Sequence, residues 1–96
     1  MKSKTYKNAS ALAESFGLPS ERGLVAEMKA KLTKEIIKAI SKNGLTHKEV
    51  AELSGVPRSA VTGIINGSLQ KVSIDRLIRI LGVLGKTIEL KIKKAA

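Results

Sequence analysis

Apolar and polar positions along the chain sort into stretches with helical spacing and, at the end, one with strand spacing. Leu24, Met28, Leu32, Ile36, Ala39 and Ile40 recur three and four residues apart. That is the period of one buried helical stripe, and it predicts a long helix from about Ser20 to Asn43. Ser20 and Glu21 supply an N-cap and an acid in the first turn, and Asn43-Gly44 a C-cap pair. Gly23 weakens the start, and the pattern would also accommodate a break near Lys29. Upstream, Ala9 to Phe16 carries good helix formers with Leu12 and Phe16 four apart, which predicts a short helix stopped by Gly17-Leu18-Pro19. Met1 to Asn8 is polar and basic and is expected to fray.

Beyond Gly44 the punctuation becomes dense. Thr46 is placed to cap a helix His47 to Ser54, Gly55-Val56-Pro57 reads as a turn, and Arg58 to Asn66 as a further helix closed by Gly67. A loop reaches Val72. Ser73 then caps a helix whose Ile74, Leu77, Ile78, Leu81 and Leu84 make an apolar face, ended by Gly85. From Thr87 to Ile92 the period changes to strict alternation, the mark of a half-buried strand. No other segment reads as a strand, and a lone strand leaves its backbone groups unpaired. Its simplest partner is its own copy, so Ile88, Leu90 and Ile92 are expected to dimerise two chains through a two-stranded intermolecular sheet. A disordered basic tail is the alternative. The expected fold class is all-α, five helices plus this C-terminal strand. It divides into an extension (1–28) with the short helix, a main domain (29–85), and a dimerisation strand with basic tail (86–96).

Composition narrows the chemistry. The chain has 96 residues, 43% of them hydrophobic, enough for one core. Tyr6 and Phe16 are its aromatic residues, so the core must be aliphatic. The net charge is +10. Residues 1–28 carry four basic and three acidic groups, residues 29–85 ten and four, and residues 86–96 four and one. An excess placed in the middle and the tail favours polyanionic partners, although a basic protein without such a partner fits the charge alone equally well. There is no cysteine and one histidine, His47, so neither disulfides nor a metal cluster is expected, nor any cofactor. No apolar run approaches a membrane span and no signal peptide is recognisable, which points to a cytoplasmic protein.

The stretch from Leu45 to Gly67 carries the functional reading. Two helices crossing at a steep angle need a small residue at their contact, which Ala51 provides, and a residue tolerant of unusual dihedrals four positions on, which Gly55 provides. Val50, Val56, Val61 and Ile64 stand where a mini-core would close the pair, with Leu53 and Ile65 directed at the rest of the domain. These are the demands of a helix-turn-helix. What remains outward on its second helix is Arg58, Ser59, Thr62, Gly63 and Asn66, all polar or small, as a helix in a major groove requires. Arg58, Ser59, Thr62 and Gly63 are the candidate base contacts. Arg58 leads because its fork can bond guanine bidentately, and Gly63 would act by close backbone approach. Thr46, His47, Lys48, Asn66, Ser68, Lys71 and Ser73 are the candidate phosphate contacts, from helix starts and nearby donors. Taken singly, each also reads as an ordinary solvated position. Lys31, Lys34, Lys38 and Lys42 form a basic stripe on the long helix, read first as a solvated face.

An enzyme is not expected. The single histidine and the single aspartate, Asp75, are both explained by helix starts, and no nucleophile–base pair or phosphate loop is visible. Recognition of single-stranded RNA generally needs aromatic platforms, which two N-terminal aromatics do not supply.

The run Leu45-Thr46-His47-Lys48-Glu49-Val50-Ala51-Glu52-Leu53-Ser54-Gly55-Val56-Pro57-Arg58-Ser59-Ala60-Val61, with Asn66-Gly67 and Ser73-Ile74-Asp75-Arg76-Leu77, resembles the phage-repressor-like, or Xre, class of helix-turn-helix proteins. The flanks Phe16-Gly17-Leu18-Pro19 and Leu81-Gly82-Val83-Leu84-Gly85-Lys86-Thr87-Ile88-Glu89 are similar to those of the HigA-type antitoxins, encoded beside RelE-like toxins. The resemblance implies a homodimeric repressor of its own operon, bound to a near-palindromic double-stranded operator. It also implies neutralisation of a toxin ribonuclease and a C-terminal strand used in dimerisation. Residues 1–28, nearly neutral, are where such a toxin would be met. The alternative within the class is a stand-alone phage- or plasmid-type regulator without a toxin partner.

Overall fold

The computed structural model describes residues 20–94. Within them the chain forms four helices: α1 (Glu21–Asn43), α2 (His47–Ser54), α3 (Arg58–Ile65) and α4 (Ile74–Val83). The boundaries follow from local chemistry. Ser20 Oγ accepts from the Gly23 amide at 3.0 Å and caps α1, which runs unbroken through Lys29. At its other end Gly44 takes a left-handed conformation (φ 62°). Its amide reaches Ser41 O and the Leu45 amide reaches Ile40 O at 3.1 Å, a Schellman closure that turns the chain toward α2.

One aliphatic core holds the four helices together. Ile36 and Ile40 of α1, Val50 of α2, Val61 and Ile64 of α3, and Leu77, Ile80 and Leu81 of α4 bury their side chains in it, joined by Val56 and Val72 from the connections. The long α1 packs chiefly on α4, and α2 packs on both α3 and α4. An isolated eight-residue helix is unstable in water. The stability of α3 therefore comes from Val61 and Ile64, fully buried and each contributing about 1.5–3 kcal/mol by leaving water.

The structure departs from the expectations at several points. The apolar stripe of α1 is covered only in its second half. Leu24 and Met28 remain 44% and 42% exposed, because no described element lies over the first two turns. Leu53 does not face the domain but is 56% exposed; the buried face of α2 centres on Val50 and Ser54, and Leu53 falls beyond its edge. On α4 the buried face is Leu77, Ile80 and Leu81, so Ile78 lies a quarter-turn off it and is exposed. No strand occurs among the described residues. From Lys86 to Lys94 the chain has no regular secondary structure, as six alternating residues cannot form a sheet without a second strand beside them. The short helix expected over Ala9 to Phe16, the fifth of the set, lies outside the described residues.

Candidate nucleic-acid interface

The α2–α3 connection is built almost entirely from short-range bonds. Gly55 closes α2 in a left-handed conformation (φ 74°), its amide donating to Ala51 O at 2.9 Å. A side chain with a Cβ would be strained there by about 1–2 kcal/mol. Ser54, buried, donates its hydroxyl to Val50 O at 2.7 Å and accepts from the Val56 amide at 3.2 Å. The turn thus keeps its polar groups paired while Val56 enters the core. Pro57 then starts α3, and its carbonyl takes the amides of Ala60 and Val61. The small Ala51 and the Val50, Val56, Val61 and Ile64 cluster stand where the spacing placed them. Ile65 is half-buried against the same core.

The outer surface of α3 has three distinct regions. Arg58 and Ser59, in the first turn, are exposed, and no side chain caps that end, so the positive pole of the helix is left uncovered. Thr62 and Gly63, one turn on, are half-buried. Asn66 is exposed and follows the helix, its amide donating to Thr62 O at 3.0 Å. Ser68 is also exposed and returns to the helix through its amide, which donates to Gly63 O at 2.8 Å.

The start of α2 converges on this surface. Thr46 Oγ1 accepts from the Glu49 amide at 3.1 Å, and the Glu49 carboxylate accepts from the Thr46 amide at 2.9 Å, a reciprocal capping box. The box fixes the first turn and turns the Glu49 charge back on the backbone. His47, the next residue, places Nδ1 2.9 Å from Thr62 Oγ1, and this bond ties α2 to α3. Lys48 beside it is exposed. The structure therefore brings His47 against Thr62 of α3, with Thr46 and Lys48 on either side of it in the chain, and Asn66 and Ser68 to the far end of α3. Lys71 is exposed on the loop before α4, which is tied to α1 by Lys29 Nζ donating to Leu69 O at 3.3 Å.

Ser73 stands apart from that cluster in its chemistry. Its hydroxyl oxygen accepts from the Arg76 amide at 3.4 Å at the start of α4. A hydrogen bond with the same Ser73 side chain is the main reason the Asp75 carboxyl lies below its ordinary value of 3.8. Ser73 is thus engaged within its own helix. The lysine stripe of α1 is exposed as expected; Lys31 pairs with Glu27 at 3.3 Å and Lys38 with Glu35 at 3.7 Å. Both pairs are solvated and each contributes about 0–1 kcal/mol. Of the expected dimerisation residues, Ile88 is half-buried against the core, while Leu90 and Ile92 are 73% and 89% exposed.

Two functional features carried no signal in the sequence. The His47–Thr62 bond joins residues fifteen apart on different helices, and no local period encodes such a pairing. Ser54 bonds Val50 O and the Val56 amide, and nothing in its spacing sets it apart from an ordinary last-turn serine. Among the described residues no helix is long and apolar enough to cross a membrane.

A family model for the helix-turn-helix domain matches residues 13–93. No curated protein and no solved structure matches the chain. The family match spans most of the sequence, and within it the α2–α3 pair meets each steric demand of the motif, leaving a polar second helix outward. The chain belongs to the helix-turn-helix domain family, which makes it a DNA-binding domain.

Proposed function

We propose that the protein is a sequence-specific transcriptional repressor. It binds double-stranded DNA as a homodimer and inserts α3 of each copy into successive major grooves of a near-palindromic operator. The observation that carries this reading is the outward face of α3, where exposed Arg58 and Ser59 occupy an uncapped first turn and the bulky residues all point inward. Arg58, Ser59, Thr62 and Gly63 read bases. Thr46, His47, Lys48, Asn66, Ser68, Lys71 and Ser73 hold phosphates, with Ser73 offering backbone more than hydroxyl because its side chain is already used. The tail supports the dimer: Ile88 anchors it on the core, and Leu90 and Ile92 continue outward with no cover from the described chain. Two such tails pairing would set the readers about 34 Å apart, one helical turn of DNA.

The resemblance to HigA-type proteins adds an antitoxin role, with a RelE-like toxin as second partner and the protein's own operon as target. A stand-alone regulator is favoured by a different observation: the exposed face of α1 is rich in lysine, and residues 29–85 carry ten basic groups against four acidic. That charge suits a polyanionic partner and needs no second protein to explain it. Co-expression with the neighbouring reading frame distinguishes the two, since an antitoxin co-purifies with its toxin and restores growth. The repressor reading is tested by polarisation titration against the duplex upstream of the coding sequence and against random duplex. Specific binding about a thousandfold or more tighter is expected at moderate salt, and equal affinities would sink it.

A further inference from the structure

We infer that His47 sets the hydrogen-bond polarity of Thr62, making Thr62 an acceptor toward DNA that selects adenine or cytosine at the base it meets. The inference rests on the DNA-reading role proposed above and adds to it a positioning residue and a direction of readout.

The observation is the 2.9 Å approach of His47 Nδ1 to Thr62 Oγ1. A threonine hydroxyl has one proton to give and lone pairs to receive, whereas a neutral imidazole carries its proton on one nitrogen only. One of the two groups must donate across this contact, and whichever does fixes what Thr62 offers elsewhere. His47 is the first residue of α2, where the helix start favours an anion and where a phosphate is expected. Phosphate oxygens only accept. The ring nitrogen not used by Thr62 is Nε2. An imidazolium would donate from both nitrogens, but in the neutral ring a phosphate at Nε2 requires the Nε2–H tautomer. Nδ1 is then bare, Thr62 donates to it, and the hydroxyl proton is consumed. Only the lone pairs of Thr62 remain for a base.

In the major groove adenine presents its N6 amine and cytosine its N4 amine as donors, whereas guanine and thymine present acceptors to that position. A Thr62 that can only accept therefore favours adenine or cytosine on the contacted strand. The three bonds run in one direction, from base amine to Thr62 to His47 to phosphate, so each polarises the next. The competing arrangement is a Thr62 hydroxyl turned to a carbonyl of its own helix, common for threonine. His47 then donates from Nδ1 and Thr62 carries no such preference.

The test is selection of binding sites from a randomised duplex library with the full chain at about pH 8, above the range in which free imidazole titrates. Four proteins are compared: wild type, Thr62→Val, Thr62→Ser and His47→Lys. Wild type is expected to enrich adenine or cytosine at one position of each half-site, by roughly threefold to tenfold over guanine or thymine. Thr62→Val flattens that position alone, and Thr62→Ser, which keeps the hydroxyl, retains it. His47→Lys puts a donor-only group at the contact and shifts the same position toward guanine or thymine. A wild-type motif that survives Thr62→Val at every position overturns the inference. So does a Thr62-dependent position that His47→Lys leaves as adenine or cytosine. Failure of wild type to enrich any motif removes the DNA-reading role itself.

Discussion

Gly63 lies in the middle of α3, where glycine costs a helix about 1 kcal/mol relative to alanine. Nothing among the described residues demands it. Its φ is not positive, and an added Cβ would meet only Ser68 Cβ, at 4.0 Å. The proposed approach of a DNA groove supplies a reason: a methyl group there would hold α3 away from it. Gly63→Ala is expected to raise stability by about 0.4–1 kcal/mol while weakening operator binding. Paired thermal melts and binding isotherms check this, and a variant that loses stability or binds unchanged would contradict it. The outward side chains of α3 were legible in the sequence because Val61 and Ile64 fix the helix phase and Arg58, Ser59 and Thr62 follow from it. The coupling of Thr62 to His47 was not, since it depends on the crossing of two helices.

The starts of α2 and α4 were legible because an N-cap is a local motif: Thr46 and Glu49 stand three apart, and Ser73 precedes Ile74-Asp75. Burial was harder to read. Leu24, Met28, Leu53 and Ile78 have the side chains of core residues, yet which apolar position is covered depends on where neighbouring helices end. Ile80 differs: it stands three residues after Leu77, so the spacing of Leu77, Ile80, Leu81 and Leu84 itself marks it as a core position that the apolar face drawn through Ile78 omits. The α4 start also carries a pH dependence. Asp75, fully exposed, is held below its ordinary carboxyl value, first by the hydrogen bond from Ser73. A lowered folded value means that Asp75 contributes stability above the ordinary value of 3.8 and loses it as pH falls through the folded value. Wild type should therefore lose more melting temperature than Asp75→Asn between neutral pH and about pH 3, below the ordinary carboxylate range. Equal losses in the two proteins would remove this contribution.

The charge of the whole molecule is not concentrated in the reading motif. Between Leu45 and Gly67, Lys48 and Arg58 are offset by Glu49 and Glu52. In the proposed complex the long-range attraction to DNA falls to the lysines of α1, Lys71 and the tail, which lie outside that nearly neutral stretch. In the proposed dimer, reach across two grooves falls to the chain after Gly85, where the alternation is plain in the sequence but no strand forms among the described residues. Leu90→Asp combined with Ile92→Asp should give monomers in analytical ultracentrifugation and leave the fold intact, as both side chains are exposed. Persistence of a dimer would place the interface elsewhere. The most direct test of α3 as the base reader is the ratio of operator to random-duplex affinity, measured for wild type and for Arg58→Ala at the same salt. The ratio should be about a thousand or more for wild type and fall roughly fivefold to hundredfold in the variant. A ratio near one for wild type, or the same ratio in both proteins, would contradict it.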